Sequence, residues 1–131
     1  KQYFLKLLEY MIDKRDQISG RQYSFLLKKA KDFVEKNYMD PEISLNSVAE
    51  YIGLSPTYFS TVFKQEAGMN FIDYLTKTRI DEAKRLLRST DKRISDIAME
   101  VGYRDQHYFS SAFKKYQGDT PKSYRENKNE E

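Results

Sequence analysis

The chain has 131 residues, of which 33% are charged, with a net charge of +3, one histidine and no cysteine. This is enough chain to bury a core, and the periodic return of Phe, Tyr, Leu and Ile argues against disorder. The composition excludes a disulfide framework, a thiolate metal site and a cysteine nucleophile, and a single histidine leaves imidazole chemistry little to work with. No apolar run approaches the ~18 residues of a membrane span, no signal peptide is visible in this stretch, and there is no glycine-rich phosphate loop. The expectation is a non-enzyme without cofactor, metal site or membrane partner, in a reducing cytoplasm. A net charge this small does not by itself argue for nucleic acid, so the placement of the basic residues must decide.

In chain order, residues 2–18 are a candidate amphipathic helix with a stripe of Phe4, Leu7, Leu8, Met11 and Ile12, broken at Ser19-Gly20. It can pack on the helices after it, join two protomers, or be the end of an upstream domain; the last is favoured, because the chain begins with Lys1 rather than Met. A second helix is expected over residues 23–38, burying Phe25, Leu26, Ala30, Phe33, Val34 and Asn37, with Lys28, Lys31 and Lys36 outside. Asp40-Pro41 closes it.

Leu45, Val48, Ala49 and Ile52 then follow the i, i+3, i+4, i+7 stripe of a short helix that ends at Gly53. Ser44 is its cap. Ser55 is a good N-cap for the next helix and Pro56 suits its first position. That helix buries Phe59, Val62 and Phe63 and turns Thr57, Ser60, Thr61 and Lys64 outward. A connector helix comes next, capped by Asn70 with Asp73, in which Ile72, Leu75, Thr76, Ile80, Ala83, Leu86 and Leu87 keep helical period. A rod of this kind is about 24 Å long and would hold the segments it joins at a fixed separation. Its Arg79, Lys84, Arg85 and Arg88 can face phosphate or pair internally with Asp81 or Glu82.

The chain now repeats itself. Ile94, Ile97, Ala98, Val101 and Gly102 restate the first short helix at an offset of 49 residues, Leu45 to Ile94. Tyr108, Phe109, Ser110, Phe113, Lys114 and Gly118 restate the second at an offset of 50, Tyr58 to Tyr108, so the second turn carries one extra residue. Asp105 caps, Phe109, Ala112, Phe113 and Tyr116 face inward, and Gln106, His107, Ser110, Ser111 and Lys114 face outward. A short helix, a glycine turn and a helix with a small polar outer face is the helix-turn-helix pattern. Thr120-Pro121 starts a last helix that returns Tyr124 to the core, and residues 127–131 are expected to be a disordered tail.

On three stretches the chain resembles the DNA-binding region of the AraC/XylS family of bacterial transcription regulators. They are residues 43–68, 71–87 and 94–125, in order and at the family spacing. The resemblance covers roughly residues 23–126, with modules at 43–68 and 92–118 and residues 1–22 as an N-terminal linker helix. One departure is Arg93, where a capping Ser or Thr is common. The resemblance implies an all-α fold of about seven helices plus the extra N-terminal one, with two helix-turn-helix modules joined by the connector. It also implies sequence-specific binding of promoter DNA by recognition helices at about 56–66 and 106–116, in neighbouring major-groove segments. Contact with RNA polymerase, an activator role and a separate sensing or receiver domain are further implications.

The outward residues fit DNA chemistry. Gln106 can pair in bidentate fashion with adenine, and His107 can meet a base edge or phosphate or remain solvated. Thr57 and Thr61 offer methyls to thymine and hydroxyls to phosphate, Pro56 opens the first reading helix, and Ser60, Ser110 and Ser111 permit close approach. Lys64 and Lys114, at equivalent places, are phosphate contacts or solvated charges, and Arg104 can reach phosphate or an edge. The competing reading is an α-helical protein–protein adaptor whose polar faces dock a partner.

Overall fold

A computed structural model of the chain describes residues 20–127. The expected helix within residues 2–18 and the tail beyond Asn127 lie outside the described residues. Seven α-helices are present among the described residues: α1 Gly20–Asn37, α2 Leu45–Ile52, α3 Pro56–Ala67, α4 Phe71–Ser89, α5 Ile94–Glu100, α6 Gln106–Gln117 and α7 Pro121–Glu126. The all-α expectation and the helix count agree with this. The described residues form two compact units, one up to Val34 with Ser44–Phe71, the other Glu35–Ile43 with the chain from Ile72 on.

In the first unit, α1 already includes residues 20–22, ahead of the expected start at residue 23. Its buried stripe is Tyr23, Ala30 and Val34, with Leu26, Leu27 and Phe33 half-buried. Phe25 is 66% exposed, which corrects its expected place in the core. Two residues past Tyr23 is roughly 200° around a helix, so the two side chains cannot share a face. At the start of α2, Ser44 and Ser47 cap each other. Ser44 Oγ accepts from the Ser47 N–H at 3.1 Å and Ser47 Oγ accepts from the Ser44 N–H at 2.9 Å. Gly53 ends α2 at φ 81°, a left-handed conformation that costs other residues about 1–2 kcal/mol.

Ser55 Oγ then accepts from the Tyr58 N–H at 3.2 Å, and Pro56 occupies the first turn, where its missing N–H costs nothing. Phe59, Phe63 and Phe71 are buried with each pair of ring centroids 5.6 Å apart and edges meeting faces, the arrangement aromatic quadrupoles prefer. Tyr58 is buried as well, and its hydroxyl donates to that of Tyr23.

The second unit is built on α4. Ile80, Ala83, Leu86 and Leu87 of that helix form one core with Ile97, Ala98, Val101, Phe109, Phe113 and Tyr124. Two expected core residues are outside it. Ile72 is exposed in the first turn of α4, and Tyr116 is exposed at the edge, where its hydroxyl donates to Asp73 Oδ1 at 2.8 Å. Arg79 contacts neither Asp81 nor Glu82, which pair with Lys77 and Arg85. It is 8% exposed, and its Nε and Nη2 donate to the carbonyls of Tyr38 at 2.8 Å and Asp40 at 3.0 Å. Its guanidinium lies 5.2 Å from the ring centre of buried Tyr103. Burial pulls the pKa of Arg79 below its ordinary value, and Tyr103 and Asp40 act in the opposite direction.

Gly102, at φ 110°, closes this arrangement. A Cβ there would overlap the Tyr38 carbonyl oxygen and stand 2.7 Å from Arg79 Nε, whereas one on Gly53 would meet nothing within 4 Å. Gly53→Ala is therefore expected to cost only the conformational term, about 1–2 kcal/mol. Gly102→Ala should add an overpacking term for a total of about 2–5 kcal/mol. Urea unfolding of the two variants checks this; equal losses would show that the Gly102 contact yields without strain.

Candidate nucleic-acid interface

Each unit contains the same local device. A short helix ends at a glycine turn, and a side-chain cap starts a twelve-residue helix whose aromatic back is buried. In the first unit that helix is α3. Pro56, Thr57, Thr61 and Lys64 are exposed along it and Ser60 is half-buried. Thr61 Oγ1 donates to the Thr57 carbonyl at 3.0 Å, so the hydroxyl keeps its acceptor capacity for a ligand but not its proton. Lys64 is in the last turn, where the helix dipole favours a cation.

In the second unit the helix is α6. Gln106, His107, Ser111 and Lys114 are exposed and Ser110 is half-buried. Asp105 starts the helix by accepting from the His107 N–H at 3.1 Å, which fixes the backbone from which Gln106 and His107 project. Lys114 is in the last turn, as Lys64 is in α3. The cap at α5 differs, because Arg93 makes no side-chain bond to the helix it precedes. Arg104 is exposed and paired with Glu42, so a phosphate would have to displace a carboxylate to reach it. An exposed pair of this kind is worth only about 0–1 kcal/mol, so the exchange is cheap.

The structure thus groups Pro56, Thr57, Ser60, Thr61 and Lys64 on one helix and Gln106, His107, Ser110, Ser111 and Lys114 on another. It also adds residues the sequence left unassigned. Tyr108 is 67% exposed although its counterpart Tyr58 is 6% exposed. With Ser111 and Lys115 it lines a hollow of about 430 Å³ beside the polar face. Their i, i+3, i+7 spacing was the available signal.

A glycine-turn pair of helices with a small, polar, solvent-facing second helix defines a helix-turn-helix protein, and here it does so twice. Residues 48–127 match the helix-turn-helix domain family. The chain is 35% identical over 106 residues to the melibiose operon regulatory protein of Escherichia coli K12, covering 81% of this chain and 35% of that protein. It thus spans about a third of the length of that curated relative. Among solved structures, the C-terminal domain of AraT, a response regulator from Geobacillus stearothermophilus, is 44% identical with a TM-score of 0.77, over 78% of this chain and 84% of that one. The DNA-binding domain of AdpA, a global transcriptional factor solved in complex with a target DNA, shares the fold at a TM-score of 0.73 and 21% identity, over 76% of this chain and 89% of that one. The chain belongs to the AraC-type helix-turn-helix family, a family of DNA-binding transcription regulators and not of enzymes. Among the described residues no helix is long and apolar enough to cross a membrane.

Asp105 carries the α6 start, so Asp105→Ala should lower stability by about 0.5–2 kcal/mol and Asp105→Asn by much less. Thermal unfolding of the two variants reads the difference. An unchanged midpoint for the alanine variant would mean that the cap contributes nothing to α6.

Proposed function

We propose that α3 and α6 each enter a major-groove segment of one DNA duplex and together select a promoter sequence. The observation that supports this is the outer face of α6, where Gln106 and His107 project from a capped helix start and Lys114 from its end. Gln106 reads an adenine, Thr57 and Thr61 meet thymine methyls or phosphate, and Ser60, Ser110 and Ser111 allow the backbone close to the groove. Pro56 and His107 contact the duplex at the helix starts. Lys64 and Lys114 neutralise phosphates, and Arg104 joins them by leaving Glu42. AdpA, which shares the fold, was solved on its target DNA.

On this reading residues 23–126 are the DNA-binding domain, with modules at 43–68 and 92–118, residues 1–22 are a linker and 127–131 a tail. The relatives are longer than this chain, and AraT is a response regulator. The whole protein would accordingly carry a sensing or receiver domain, contact RNA polymerase as an activator and work in the cytoplasm.

Duplex selection from a random pool, followed by titration across salt, tests the reading. Log affinity should fall linearly with log salt, with no metal or cofactor required. Gln106→Ala should cost roughly 1–3 kcal/mol on the selected site and relax one adenine position, while Lys114→Ala should weaken all sequences about evenly. A flat salt response, or no duplex binding at low salt, would favour a protein–protein adaptor. Five base pairs inserted between the two selected segments rotate one by about half a turn of the duplex. Affinity should then drop to that of one module, and undiminished binding would refute two-headed reading.

A further inference from the structure

The second unit holds basic side chains that the reading face does not use. Arg93, Ser95, Gln106, Lys122, Arg125 and Glu126 line a hollow of about 470 Å³ where the starts of α5 and α6 meet α7. Three of these are cations and one is a carboxylate. Arg125 is held in place, its Nε donating to the Leu87 carbonyl at 3.1 Å and its Nη2 to the Thr90 carbonyl at 3.3 Å. Arg93 and Lys122 are exposed, and among the described residues neither forms an ion pair. Four other cations of this unit behave differently. Lys77, Arg85, Lys92 and Arg104 all have carboxylate partners.

Arg93 is also the residue that departs from the family's capping Ser or Thr, and it contributes no cap. Its side chain is released from the helix and lines the hollow instead. Two uncompensated cations beside a third that is anchored favour an anion, and a guanidinium fork suits a phosphate's paired oxygens. Gln106 borders the same hollow, so an anion bound there is adjacent to a side chain that reads a base.

We propose that Arg93, Lys122 and Arg125 form a clamp for one backbone phosphodiester of the duplex, next to the base that Gln106 meets. The clamp rests on the DNA reading above and extends it to a site outside both reading helices. The phosphate held there fixes the register in which α6 presents Gln106, while Glu126 limits the strength of the grip.

The test uses the selected duplex and the double variant Arg93→Gln/Lys122→Gln. Both positions are solvent-exposed, and far-UV dichroism and thermal unfolding confirm that the variant folds. Binding should weaken several-fold near physiological salt, and the slope of log affinity against log salt should become shallower by about 1 for each phosphate no longer neutralised. Replacing single phosphates of the duplex with neutral methylphosphonates should reveal one position, beside the adenine, that weakens the native chain but not the double variant. Glu126→Gln should act in the opposite direction and tighten binding. A native chain that binds duplex with a double variant of unchanged affinity and slope overturns the clamp and leaves the DNA reading standing. A native chain that binds no duplex overturns both.

Discussion

Arg79 brings a guanidinium into the interior of the second unit, and much of that unit's geometry comes from satisfying it. An unpaired buried charge is prohibitive, so every donor must find an acceptor. The acceptors are the Tyr38 and Asp40 carbonyls, and the face of Tyr103 adds a cation–π contact. The bonds hold the turn between α1 and α2 against α4. They also require that the residue opposite, Gly102, have no side chain. Tyr103, placed by the same contact, has its ring centre 5.5 Å from that of Phe109 and so helps seat the buried face of α6. An arginine in the middle of α4 thereby bears on the direction of α6, two elements later.

The two modules solve one packing problem with different residues. Both turn on a left-handed glycine and both bury two phenylalanines of the second helix. In the first, the tyrosine before the first phenylalanine is covered by Tyr23 of α1 and its hydroxyl is satisfied there. In the second, that place passes to Tyr103, beside the turn's extra residue, and Tyr108 is left in solvent with its ring 5.8 Å from that of Tyr103. The extra residue thus changes which aromatic is core, and the second module gains an exposed ring next to its polar face. Charge is divided unequally as well, since Arg104 is neutralised by Glu42 while Arg93, Lys114 and Lys122 form no ion pair among the described residues.

Much of this was legible from residue order alone. Helical period, Ser44, Ser55, Asp105 and Thr120 as caps, Pro56 and Pro121 at first positions and the glycine turns are local properties, each set within about one helical turn. The repeat adds that the same local code is used twice, and the polar outer faces of α3 and α6 come from the spacing of their phenylalanines. These features determine the fold class, the family and the two polar outer faces.

Only the tertiary structure decided which of several surfaces becomes the core and which charge finds a partner. Phe25 and Ile72 fit an apolar pattern but are left exposed, because coverage depends on segments distant in sequence. Arg79 reads as one more connector cation until Tyr38, Asp40 and Gly102 surround it, and those partners are 41, 39 and 23 positions away (Arg79 to Tyr38, Asp40 and Gly102). Arg104 and Arg93 are alike in composition and opposite in circumstance, one beside Glu42 and one in a hollow with Lys122. Electrostatic pairing acts through space at a few ångströms, so no local pattern encodes it, and the packing of α5, α6 and α7 assigns the charges their roles.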